Sequence, residues 1–133
     1  MTVETPPEGF TPISSSNPFG TAVGPVYELQ NDEGWVRGVV IEDRHANRGG
    51  VAHGGMLMSF ADIVSARAAM EVTNERFVTL RLAADFVAPA PIGLWLEGRA
   101  KVTKQKGSTL FIACRLEAAG KLILRASAVF KTI

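Results

Sequence analysis

From Gly54 to Val72 the apolar residues Leu57, Phe60, Ala61, Val64 and Ala68 fall at i, i+3, i+4, i+7 and i+11. That is the stripe of an amphipathic helix with one buried side. Beyond it the period drops to two. Val78, Leu80, Leu82, Ala84 and Phe86 share one face of a predicted strand. Leu94, Leu96, Gly98, Ala100 and Val102 do so in the next, opposite Trp95, Glu97, Arg99 and Lys101. Leu110, Ile112, Cys114 and Leu116 repeat the alternation, as do Leu122, Leu124, Ala126, Ala128 and Phe130. Breaks at Pro89–Gly93, Gln105–Gly107 and Ala118–Gly120 separate these strands, the last two short enough for hairpins. Ahead of the helix, Val26–Gln30 and Trp35–Ile41 read as a strand pair across the turn residues Asn31 to Gly34. A polar, Gly-rich stretch from Glu42 to Gly55 leads into the helix.

The order is two strands, one long helix, then four strands, an α+β layer of one helix against a sheet of about five to six antiparallel strands. Residues 1–24, rich in Pro, Gly, Ser and Thr, form an irregular lead-in, and 25–133 form the domain. Bulky residues on both strand faces, Trp95 behind Leu94 and Phe111 behind Leu110, predict that a second subunit covers part of the sheet. A homodimer at least is expected, with pairing into a dimer of dimers left open.

A chain of 133 residues with 47% hydrophobic and 20% charged residues has the composition of one ordinary globular domain. A net charge of +1 supplies no general pull toward nucleic acid or anionic lipid, so neither is an expected partner. A single cysteine, Cys114, excludes an intrachain disulfide and fits a reducing compartment. The first sixteen residues lack the basic and apolar regions of a secretory signal, and no apolar run approaches the roughly 18 residues of a membrane span. A cytoplasmic protein is expected. Two histidines and one cysteine make a poor zinc set, there is no Gly-rich phosphate loop, and no cofactor is expected.

The chemistry concentrates in Asn47 to Gly55 and the helix that follows. A helix N-terminus offers unpaired N–H groups and the positive end of the macrodipole. Gly54 and Gly55 let a ligand oxygen reach those groups, which describes an oxyanion site. Asp62 lies opposite the apolar stripe among Gly55, Met58, Ser59, Ser65, Ala66 and Ala69, none of them charged, so its carboxylate faces a pocket or a partner chain. Asn47 can donate a hydrogen bond to a carboxylate or a water. Each feature has a plain alternative: a Gly-Gly loop, a solvated Asp, a structural His53, an Asn turn. Their placement on one loop–helix unit favours a site. Cys114, alternating with Leu on a strand, reads as a buried apolar residue.

The run Asn47…His53-Gly54-Gly55…Asp62 followed by four strands resembles the PaaI-type (phenylacetate-pathway) branch of hotdog-fold acyl-CoA thioesterases. It is also similar to mammalian thioesterase superfamily member 2. The similarity spans about Phe19 to Ile133 and includes Asp85–Ala90 with Gly93, Lys106–Leu110 and Gly120–Ile123. It implies a hotdog fold in which Asp62 attacks the thioester or activates water across a subunit interface, and the Gly54 N–H polarises the carbonyl. It further implies that Asn47 positions the nucleophile, His53 supports the loop, and Thr79 holds the water. Arg81, expected to point to the same side as Thr79 and Asp85, has no assigned role beyond a structural ion pair. Gly55 and Ser59 are expected beside the substrate. Lys101, Lys104, Lys106 and Ser108 are expected near the coenzyme A phosphates, or else simply solvate a hairpin. Met56, Met58, Phe60 and Trp95 suit an aromatic or a medium aliphatic acyl group equally. The competing functions are a non-catalytic acyl-CoA-binding protein and an acyl-thioester hydratase or dehydratase. The helix has no His beside Asp62 for the latter's acid–base pair.

Overall fold

The computed structural model describes residues 3–14 and 17–133. Its elements are β1 (Thr11–Pro12), α1 (Pro18–Val23), β2 (Tyr27–Asn31), β3 (Gly34–Val40), α2 (Gly54–Val72), β4 (Phe77–Phe86), β5 (Trp95–Lys106), β6 (Thr109–Ala118) and β7 (Lys121–Thr132). The strands make one antiparallel sheet in the order β1-β2-β3-β5-β6-β7-β4. The helix lies across it. The expected α+β hotdog architecture is present, with seven strands instead of five or six because two residues of the lead-in pair with β2.

The rest of the lead-in also differs from an irregular segment. Asn17 accepts hydrogen bonds from the Phe19 and Gly20 N–H groups and Pro18 opens the first turn, so α1 forms where cap and proline agree. Positions 1, 2, 15 and 16 of that segment lie outside the described residues.

Helix α2 buries the expected stripe, with Phe60 and Ala61 fully enclosed. The buried arc is wider than the sequence suggests: Met56, Ser65 and Ala69 are buried too. Gly98 sets how closely the helix seats on the sheet. A Cβ there would stand 2.5 Å from Val64 and 2.8 Å from Leu116, so the bare backbone lets α2 drop onto β5. The inner face supplies Leu110, Ile112, Cys114 and Leu116 from β6 and Leu124, Ala126, Ala128 and Phe130 from β7.

On the outer face Trp95 lies across Gly38, where a Cβ would sit 2.0 Å from the indole. Phe10 packs edge-on against Trp95 at 5.0 Å, and Tyr27 lies 6.0 Å away. The chain's own N-terminal segment therefore covers Trp95, and no second subunit is required there. Phe111 stays open.

Strand β4 departs from simple alternation. Thr79 pairs with Phe130 and Arg81 with Val129, leaving Leu80 as an extra residue in a bulge. Side chains directly opposite share a face, so Thr79, Leu82, Ala84 and Phe86 point inward with Phe130, Ala128, Ala126 and Leu124. Val78, Arg81 and Asp85 point outward. One inserted residue inverts the parity, which corrects the expected common side of Arg81 and Thr79 and takes Val78 off the inner face.

Candidate active site

The loop entering α2 is fixed from both ends. Asn47 accepts the Gly49 N–H on Oδ1 at 2.8 Å, its own N–H reaches Val51 O, and its carbonyl receives the Gly50 N–H. Gly50 takes φ +79°, a conformation that favours glycine. Bridges from Ala46 to Ala52 and from Val51 to Pro91 tie the loop to the segment after β4. Asn47 is thus a turn former through its oxygen, while its amide NH2 makes no hydrogen bond among the described residues.

His53 is the N-cap of α2, its Nδ1 accepting the Gly55 N–H at 2.8 Å. The first intrahelical bond runs from the Leu57 N–H to His53 O. The N–H groups of Gly54 and Met56 are therefore the donors left at the positive end of the helix. A Cβ on Gly54 would come within 3.5 Å of the Phe86 ring, so the donor lies beside an aromatic edge at the end of β4. The expected oxyanion donor is Gly54, with Gly55 occupied by the cap. Ser59, expected beside the substrate, donates to Gly55 O at 2.8 Å and braces the first turn.

Two turns along, the Thr79 hydroxyl donates to Asp62 Oδ1 at 2.7 Å. The β4 bulge makes this bond possible by turning Thr79 toward the helix. Asp62 is half-buried, and among the described residues no cation pairs with it. It borders a cavity of about 560 Å³ between α2 and the lead-in, lined also by Ile13, Thr21, Val26 and Arg37.

Arg37 was not singled out in the sequence. It is buried in a Val-rich strand, bonds to Glu28 at 3.2 Å and donates to the Ile63 carbonyl at 2.9 Å, next to Asp62. Burial lowers its pKa, with the Glu28 bond and charge opposing. A charged side chain amid Val36, Val39 and Val40 was the available signal. Arg67 stacks on Trp35 at 3.8 Å and approaches the same Glu28 at 3.9 Å.

Lys101, Lys104 and Lys106 are not brought to this site within one chain. They stand opposite Ala113, Phe111 and Thr109 on the outer face. Gln105 shares the row of Leu110, Phe130 and Thr79, so this end of β5 lies three strand spacings, roughly 14 Å, from Thr79. Ser108 is in the β5–β6 turn, where its carbonyl receives the Thr132 N–H at 2.8 Å. Cys114 is buried, and burial pushes its thiol up to about 12, which excludes it as a nucleophile.

Residues 49–123 match the family model described as Thioesterase superfamily. A provisionally named esterase of Pseudomonas aeruginosa is 37% identical over 128 residues, covering 93% of this chain and 95% of that protein. The crystal structure of zebra fish thioesterase superfamily member 2 superposes with a TM-score of 0.78 at 29% identity, covering 88% of each chain. The E. coli PaaI protein of the phenylacetic acid degradation operon shares the fold at a TM-score of 0.79 and 20% identity, covering 89% of this chain and 86% of that one.

Proposed function

The chain belongs to the thioesterase superfamily, and from that premise we propose that it hydrolyses a small aromatic or short- to medium-chain acyl-CoA, in a site completed by a second copy of the chain. The observation that carries this reading is the Asp62–Thr79 pair: a half-buried carboxylate with no paired cation among the described residues, held through one oxygen. The other oxygen remains available for chemistry.

In this reading the thioester carbonyl oxygen lies at the Gly54 N–H, where the helix dipole meets the charge that develops on it. Asp62 takes a proton from water as the hydroxide oxygen bonds to the carbonyl carbon, or its carboxylate attacks that carbon itself to give a mixed anhydride that water hydrolyses once the thiolate has left. The C–S bond then breaks and coenzyme A leaves as a thiolate, stable enough to need no strong general acid. Thr79 fixes the carboxylate, Asn47 offers its free amide NH2 to the nucleophile, and His53 holds the Gly54–Gly55 turn.

Gly54 and Asp62 are eight residues apart on one helix, a rise of about 12 Å. Oxyanion donor and nucleophile must both lie within about 3 Å of one carbonyl group. The two groups of a single chain do not meet that condition, which supports a site shared between subunits. An open sheet edge supports the same reading. Strand β4 is a ten-residue edge with Val78, Leu80 and Phe86 exposed, a surface that natural proteins cover.

The test is thiol release from a panel of aliphatic, phenylacetyl and hydroxybenzoyl CoA thioesters with wild type and Asp62→Asn. Turnover should fall by several orders of magnitude in the variant, with substrate binding retained. Near-normal turnover in Asp62→Asn removes that residue from the mechanism. Binding without turnover in the wild type favours an acyl-CoA-binding protein.

A further inference from the structure

On the face of the sheet away from α2, Arg99, Arg115 and Arg125 stand directly opposite one another on β5, β6 and β7. Like charges facing across strands destabilise a sheet, so a row of three calls for anions. The neighbouring acids do not fully answer it. Glu117 reaches Arg115 at 3.2 Å, but Asp85 is 4.0 Å from Arg125 and the exposed Glu33 is 3.6 Å from Arg99. That Glu33 contact is to Arg99 Nη1, which is otherwise shut off from solvent and has no hydrogen-bond partner among the described residues.

These arginines, with Lys101, border a cavity of about 470 Å³ lined also by Ala113, Leu122 and Glu33, and at its rim by Trp35 and by Glu71 of α2. We propose that this cavity binds a nucleotide carrying two or more phosphates. Three guanidinium groups on adjacent strands span about 10 Å, enough to hold separate phosphates by paired N–H donors. The small apolar lining leaves room for a flat base, which guanidinium planes also stack on. The volume suits one nucleotide, and a net charge of +1 argues against a polynucleotide. A second copy of the chain docking by this face would set arginines against arginines.

The ligand has two possible sources, the nucleotide end of the substrate's own coenzyme A or a free nucleotide that regulates the protein. Calorimetric titration at low ionic strength with adenosine 3′,5′-bisphosphate and with coenzyme A tests the site without relying on turnover, so its failure is separate from failure of the hydrolase reading. The bisphosphate should bind the wild type, and the Arg115→Gln/Arg125→Gln variant should bind it at least about tenfold more weakly. Coenzyme A weakened in parallel and competing with the bisphosphate assigns the site to the substrate. Coenzyme A unaffected while the bisphosphate is lost assigns it to a free nucleotide. Lys101→Gln, a single exposed change, should weaken the bisphosphate in the same direction and guards against a misfolded double variant. No bisphosphate binding by the wild type, or equal binding by wild type and both variants, overturns the proposal.

Discussion

Thr79 and His45 show what single side chains do in this fold, one to a carboxylate and one to stability. The Thr79 hydroxyl is the one protein donor to Asp62 among the described residues, at 2.7 Å. A hydrogen bond to a charged group is worth about 1.5–3 kcal/mol, so Thr79→Val should lower kcat by about 10- to 100-fold, and Thr79→Ser should restore most of it. Equal kcat in the Val and Ser variants would leave Thr79 without a part in positioning. His45 is buried, its Nδ1 accepting the Glu42 N–H at 3.0 Å and its Nε2 lying 2.6 Å from Val23 O, an arrangement that the neutral ring satisfies. Burial lowers its pKa, with the Val23 carbonyl pulling the other way. The unfolded chain, with a histidine near 6.5, then binds the proton more readily than the fold does. Stability should therefore fall as pH drops from about 6.5 toward the lowered value. Chemical denaturation at pH 7 and 5 should show that loss in the wild type and a flatter profile in His45→Gln; an unchanged slope assigns the effect elsewhere. The positions of Gly54 at the helix start and Asp62 two turns in were legible in the sequence from helical spacing. Thr79 was legible only through resemblance, since what aims it at Asp62 is a bulge.

At the scale of elements, period-two and period-3.6 patterns carried most of the architecture. Core strands of this length read clearly when one face is buried against a helix, as β6 and β7 are. What alternation does not reveal is an inserted residue. The bulges at Leu80 and at Thr103 change which side chains face the helix without changing composition. Trp95 misled for a different reason: its cover comes from Phe10 and Tyr27, both distant in sequence, and Phe10 sits in a lead-in that carries no strong pattern. The seating of α2 on β5 is testable through Gly98. Adding a methyl group where Val64 lies 2.5 Å away should cost about 1–3 kcal/mol of stability by thermal melting. Val64→Ala removes the clashing methyls, so the Gly98→Ala/Val64→Ala variant should be less destabilised than the sum of the two single changes. Strict additivity would show that the helix relieves the clash by shifting as a unit.

At the scale of the molecule, the proposed site is divided along α2. Gly54 and Phe86 lie at one end of α2, and Asp62 and Thr79 lie about two turns away. Lys104 and Lys106 lie on the outer face at the β5–β6 hairpin end and Ser108 lies in its turn, all apart from Asp62 and Thr79 within one chain. A shared site makes a quantitative demand that a within-chain site does not. Asp62→Asn and Asn47→Ala subunits are each expected to form dimers with little turnover. In a mixed dimer, one site combines the intact Asp62 of one chain with the intact Asn47 loop of the other, while the second site has lost both. Random reassortment makes half the dimers mixed, each with one working site, so the mixture should recover about a quarter of wild-type turnover. Unfolding and refolding the two variants together, then measuring thiol release against each refolded alone, gives the answer. Recovery near that level places the two groups on different subunits. Activity no higher than the mean of the parents returns the site to a single chain and requires α2 to bring Gly54 and Asp62 to one carbonyl across 12 Å, roughly the rise of eight helical residues.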